Sequence, residues 1–296
     1  MNNHLPLHSL LLLVILALTV SVSTSSEQRT DYEAQQDSWR ETREANLVSN
    51  DGWLTIAALH FLHEGANSFG SSPLNDFVLP EGPEKVGVFE LRRREVFLHI
   101  DEGQTVDVNG KPTTTTRLFP TESIRHDVTV GNLTLWIHYS GDRLAVRMSN
   151  PNSDILKNFS GLKWFPVDER YRVPARFIPH DNPTAVRLPN ILGDIEEFTS
   201  HGSVELTVAG QKIRMLSIHS GDQLWFIFRD LTSGVETYPA ARFLYAPAPG
   251  KDGWTEVDFN RAYNPPCAFN PYTTCPLPPE PNRLNFRVEA GELSYH

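Results

Sequence analysis

The chain has 296 residues and a formal net charge of -10, with 40% hydrophobic residues and two cysteines. This length allows one large or two modest cores. The acidity excludes the basic surface that nonspecific nucleic-acid or anionic-membrane binding needs to displace counterions.

Residues 1–25 contain no Asp, Glu, Lys or Arg, so the net charge belongs to the rest of the chain. Within them 10–20 is apolar apart from Thr19, and Ser21, Ser23, Thr24 and Ser25 come next. That is the layout of a secretory signal peptide. The run is too short to span a hydrocarbon core of roughly 30 Å comfortably. Because Lys and Arg are missing ahead of it, an uncleaved anchor is the alternative. The expectation is a periplasmic or secreted protein with no membrane span after leader cleavage.

Residues 27–50 are polar, with Tyr32, Trp39 and Leu47 recurring at helical spacing. This predicts a sparse amphipathic helix laid on the body through Trp39 and ended by Asn50-Asp51-Gly52. Short strands come next. Segments 88–91 and 95–100 flank the tip Arg92-Arg93-Arg94, which is bounded by Glu90 and Glu95 and reads as a charged turn. Asn109-Gly110 joins 105–108 to 113–119, a strong type I′ hairpin signal. Gly131-Asn132 and Gly141-Asp142 separate 127–130, 133–139 and 143–148. Closely spaced strands of this kind predict a β-sandwich over 51–140.

The stretch 150–190 is proline-rich and reads as irregular structure. Strand signals return at 203–208, 212–218, 224–228, 241–245, 255–259 and 284–288, giving a β-rich barrel or sandwich over 141–296. The fold class is mainly β with one N-terminal helix. Cys267 and Cys275 have seven residues between them. In an oxidising compartment they form a local disulfide, and free thiols are the alternative.

Two family resemblances appear. The string Asn67-Ser68-Phe69-Gly70-Ser71-Ser72-Pro73-Leu74, with Val106-Asp107-Val108-Asn109-Gly110 further on, resembles a forkhead-associated domain. It departs where function sits: the phosphate-reading arginine expected after Gly70 is Ser71, and a phosphate anchor needs a guanidinium or clustered donors. In the C-terminal half, Phe228-Arg229-Asp230-Leu231-Thr232-Ser233-Gly234, Tyr238-Pro239-Ala240-Ala241-Arg242-Phe243, Asp258-Phe259-Asn260-Arg261-Ala262-Tyr263-Asn264-Pro265-Pro266-Cys267 and Ala290-Gly291-Glu292 closely resemble the bacterial and archaeal family called domain of unknown function 1684. The resemblance implies no settled activity. Members without an export leader carry both cysteines, which leaves a thiol role open.

This family-like block concentrates polar groups. Strand alternation places Asp258 and Asn260 on one face, with Arg242 on a neighbouring strand. Together with Arg261, Tyr263 and Tyr238 they form a candidate pocket for a small or anionic ligand, since a guanidinium fork suits a carboxylate or phosphate. The alternative is a structural network in which Arg242 satisfies Asp258 or Glu236. A second hypothesis is a hydrolase or lyase using Asp258, Glu236 or Cys267, and a third is a docking protein without a small-molecule site. His60 and His63 match no zinc-peptidase order, and no nucleophile elbow, phosphate loop or dinucleotide fingerprint is present, so neither metal nor cofactor is implied. The oligomeric state is not legible.

Overall fold

The computed structural model describes residues 30–121 and 125–295, and the leader segment lies outside them. Thr30 opens helix α1 (Asp31–Val48) with a capping box: its hydroxyl accepts the Glu33 N–H at 3.2 Å, and Glu33 accepts the Thr30 N–H at 2.8 Å. Asp31 and Glu33 in the first turn suit the positive end of the helix dipole. The buried residues of α1 are Tyr32, Gln36 and Leu47. Trp39, expected to anchor the helix, is half-buried and meets Trp164 edge-on at 5.5 Å. Polar contacts hold the start of α1, and Leu47 packs its end against Leu54, Ala268 and Phe269.

Two sheets then stack. One has the order β3 (Phe77–Val78), β2 (Gly65–Gly70), β4 (Gly87–Arg92), β5 (Glu95–Ile100), β8 (Thr115–Phe119). The other has the order β1 (Ile56–Phe61), β11 (Arg143–Ser149), β10 (Leu133–Ser140), β9 (Val128–Val130), β6 (Val106–Val108), β7 (Lys111–Thr113). Alternation sends Phe69, Phe89, Leu98 and Leu118 of the first sheet against Val128, Leu133, Leu135 and Val146 of the second, in one buried core. The β6–β7 hairpin turns through Asn109 and Gly110 at φ 52° and 75°, as a type I′ turn requires. The sandwich sheet includes β11, which pairs with both β1 and β10.

The C-terminal sheet has the order β16 (Arg242–Pro247), β15 (Gln223–Phe228), β14 (Gln211–Ser220), β13 (Ile195–Val208), β12 (Arg172–Pro189), β17 (Trp254–Asp258). It curls into a near-barrel whose edge strands meet where Thr255 Oγ1 donates to the Pro247 carbonyl at 2.7 Å. Inside lie Val204, Met215, Phe226, Phe228, Leu244, Val257 and Phe259.

Two expectations are corrected. The proline-rich stretch is not irregular throughout: β12 runs for 18 residues. Pairing to β17 covers only Arg172 to Arg176, so Pro179, Pro183 and Pro189 lie beyond it, where that side of β12 needs no N–H donor for a strand. The ladder to β13 also shifts register between Pro179 and Thr184. Conversely, 284–288 is not a strand. Its hydrophobic residues cover the barrel as a loop, with the Leu284 N–H donating to the Arg229 carbonyl at 2.8 Å.

The outer face of β10 and β11 packs against this second unit. Arg143 grips Asp194 with two bonds of 2.8 and 2.6 Å, and Ser140 Oγ donates to the same carboxylate at 2.7 Å. His138 Nε2 lies 3.1 Å from Thr274 Oγ1, and Asn270 Nδ2 donates to the Trp53 carbonyl at 2.8 Å.

Candidate functional site

The polar residues of the family-like block divide among separate networks. Arg242 points into the barrel and is fully buried. It donates to Asp230 Oδ2 at 2.7 Å, to the Val288 carbonyl at 3.1 Å and to the Ala290 carbonyl, and its Cζ lies 5.1 Å over the Phe228 ring. Burial lowers its pKa while Asp230 pulls it back. Gly291, at φ 85°, turns the backbone around this guanidinium: a Cβ there would stand 2.4 Å from the Ala262 carbonyl oxygen and 2.9 Å from Arg242 Nη2. Arg242 therefore locks the C-terminal loop to the barrel and, with no exposed surface, lines no open hollow. The expectation that it would share a ligand pocket with Asp258 is corrected, because the pleat turns it inward.

Asp258 ends β17 and caps a short 3₁₀ turn, accepting the Asn260 N–H at 3.1 Å. The strand stops there, so strand alternation does not relate Asp258 to Asn260; the cap brings them together instead. Tyr32 Oη donates to Asp258 at 2.8 and 2.9 Å, and Gln36 Nε2 donates at 2.8 Å. Asn260 Nδ2 adds a bond of 3.1 Å and also reaches Tyr32 Oη and the Asp168 carbonyl. Burial and then the Asp258 charge push the Tyr32 phenol well above its ordinary range. Arg261, half exposed, stands 3.6 Å from Asp258 at the margin. This is the dock for α1, with every carboxylate oxygen satisfied.

Glu236 pairs with Arg287, while Asp258 is held by Tyr32, Gln36 and Asn260. The Tyr238 hydroxyl donates to the Cys267 carbonyl at 3.1 Å. Both cysteines are free thiols. Cys275 Sγ accepts the Cys267 N–H at 3.2 Å and also meets the Cys267 thiol, and the loop between is pinned by Asn270. The two sulfurs stand at hydrogen-bonding and not at disulfide distance, so the structure does not show the expected disulfide. A hydrogen bond from Cys275 lowers the Cys267 thiol against burial, while burial raises Cys275; no imidazole is among the groups acting on either. Among the described residues, no cluster of His, Cys, Asp or Glu is placed to hold a metal.

What the structure does gather is aromatic. On β16, Arg242, Leu244 and Ala246 face the barrel interior, so Phe243 and Tyr245 face outward. Trp225 on β15 is registered opposite Tyr245, and Tyr263 pairs with Phe243 through two 2.9 Å backbone bonds. The rings form a continuous patch, with centroids 5.0 Å apart for Trp225–Phe243, 6.0 Å for Phe243–Tyr263 and 6.4 Å for Tyr245–Tyr263. Helix α1 walls it with Trp39, Thr42, Asn46 and Arg43, whose Cζ lies 4.5 Å over Tyr263. With Trp53 and Pro266 the cleft encloses about 460 Å³. Tyr263 is the one sequence candidate that lines it; burial and the Tyr245 hydroxyl raise its phenol. Sequence reasoning does not single out Trp225, Phe243, Tyr245 or Arg43. The alternation of Phe243 and Tyr245 against inward Leu244 is the signal that could have found two of them.

Helix, sandwich and near-barrel thus define a mainly β protein with an aromatic cleft where helix meets barrel. Residues 157–293 match the family described as protein of unknown function (DUF1684), and the chain belongs to that family. The chain is also similar to an uncharacterized protein of Haloarcula marismortui solved by solution NMR, at 31% identity over 46% of this chain and 78% of that one, with a TM-score of 0.40. No curated protein matches the chain. The family match begins after the sandwich and does not bear on the forkhead-associated resemblance. Among the described residues, no helix is long and apolar enough to cross a membrane.

Proposed function

We propose that this is an exported protein that binds a small ring-bearing ligand in the cleft between α1 and the outer face of β15 and β16. One observation carries the reading: Trp39, Trp53, Trp225, Phe243, Tyr245 and Tyr263 line a single open hollow. Trp53 and Tyr245 are exposed beside half-buried Trp39, Trp225 and Tyr263. Clustered aromatic surface of this kind marks a binding site, and its faces stack on sugar or heteroaromatic rings. Among the described residues Trp225 Nε1 has no hydrogen-bond partner, which leaves a donor for a ligand acceptor.

Arg43 stacks on Tyr263 and is already held by Glu292 at 3.4 Å, so a strongly anionic ligand would compete with an internal carboxylate. A neutral ring fits better than the anion expected from Arg242. Export rests on the leader-like run at 10–20.

The test is tryptophan fluorescence of the purified protein titrated with neutral monosaccharides and with indole- and purine-type heteroaromatics. Saturable change with one ring class, lost in Tyr245→Ser, is expected. Tyr245 is 36% exposed, so its replacement disturbs little packing. A flat response to both classes overturns the proposal.

A further inference from the structure

A second hollow, of about 680 Å³, lies over the outer face of β9, β10 and β11 beneath the loop that carries Asn50, Asp51 and Trp53. It shares only Trp53 with the aromatic cleft. Its floor is set by the sheet register. Leu133 and Leu135 point into the sandwich core, so Thr134 and Trp136 point out; their cross-strand partners Ser149, Arg147 and Thr129 lie on the same face.

Arg147 is the unusual member. It is 5% exposed, and among the described residues it forms no salt bridge. One Nη approaches His138 Nε2 at 3.0 Å, and Nε has no hydrogen-bond partner. Burial and the Arg147 charge push His138 down to about 3, so the imidazole is neutral and accepts this bond without supplying negative charge. Burial lowers Arg147 only to about 10, which leaves it a cation at neutral pH. Cys275 and then Glu196 bear on it through space, but burial raises the Cys275 thiol and so disfavours its thiolate. Glu196 stands outside salt-bridge range and spends an oxygen on Asn190 Nδ2 at 2.8 Å. The other arginine of the hollow is matched. Arg125 holds Asp127 with bonds of 2.7 and 3.1 Å and stacks 4.2 Å over Trp136.

A buried guanidinium without a counter-charge is costly to keep. It becomes favourable when an oxyanion completes its fork. We propose that this hollow binds a small organic oxyanion, a carboxylate or phosphate ester, with Arg147 as its charge anchor. The ligand body rests against Trp53 and Trp136, and Thr55, Thr129, Asn132 and Thr134 offer hydrogen bonds to its polar edge.

Thermal unfolding and tryptophan fluorescence are followed with inorganic phosphate and with benzoate, against chloride at matched ionic strength. The expected result is dose-dependent stabilisation by at least one probe. Arg147→Met, which keeps the alkyl stem, abolishes the response and raises the Tm of the free protein by about 2–4 °C. Arg147→Lys retains the response with affinity weakened about tenfold. Phosphate and benzoate separate tetrahedral from planar oxyanions. No stabilisation beyond chloride by either probe overturns the proposal. So does an undiminished response in Arg147→Met, which would place binding elsewhere, or a free Arg147→Met protein less stable than wild type, which would give the guanidinium a structural role.

Discussion

Arg242, inside the barrel, and Arg147, on the outer face of the sandwich, are both buried, but their surroundings differ in kind. Arg242 has Asp230 and two carbonyls around it. Arg147 has a neutral imidazole and no carboxylate within salt-bridge range, although the Nε of each arginine lacks a partner. The family-like block is dense in polar residues, yet its main charges are spent inside the fold: Arg242 pairs with Asp230 and closes the C-terminal loop, and Asp258 holds α1. A binding function is better sought where a buried charge lacks its counter-charge than where polar groups are many.

The comparison breaks most readily at Arg242. Arg242→Met leaves Asp230 buried without its counter-charge, and a loss of about 3–5 kcal/mol is expected in denaturant unfolding. Replacing Asp230 as well by an apolar residue of similar volume recovers part of it. A loss under about 1 kcal/mol would place Arg242 with Arg147 as a dispensable cation.

Next in size is Glu292, which faces Arg43 and Asn264 and lies within electrostatic reach of Arg242. Burial pushes its carboxyl up from 4.5 to about 7 against the pull of Arg43. The native state therefore holds this proton more tightly than the unfolded chain. The stability it lends is greatest below the unfolded pKa and falls as pH rises from 4.5 to about 7, by at most about 3 kcal/mol. Subtracting the pH profile of Glu292→Gln from that of wild type should reveal this slope; a flat difference would mean that Arg43 keeps Glu292 ionised throughout.

Tyr32→Phe removes a hydroxyl that gives one bifurcated bond to the two Asp258 oxygens and accepts one from Asn260. About 1–3 kcal/mol is expected, concentrated in the docking of α1. Amide exchange should rise in α1 and leave the sandwich core unchanged. Arg147→Met gives the smallest change, about 1 kcal/mol, and of opposite sign to Arg242→Met. Alkylation sharpens the thiol assignment: both Cys267 and Cys275 should be modified in unreduced, unfolded protein, and a mass two protons lighter would reveal a bridge.

Some of this is readable in the residues. Asn109-Gly110, Gly131-Asn132 and Gly141-Asp142 are local devices whose backbone needs announce hairpins, and alternating Leu133 and Leu135 announces a buried face. Thr30 and Glu33 form their capping box within four residues. The long β12 is not readable, since whether Pro179 and Pro183 are tolerated depends on which side of the strand lacks a neighbour. Nor is 284–288, whose apolar pattern serves a covering loop as well as a strand.

By itself the sequence determined a mainly β chain with an N-terminal helix, its hairpins and its family, because turn chemistry and period-two burial act over a few residues. Only the tertiary structure decided which charges are spent and which are left over. Asp258 meets Tyr32 across 226 positions and Arg242 meets the Ala290 carbonyl across 48. Pairing of that kind depends on distance in space, and no local pattern records it.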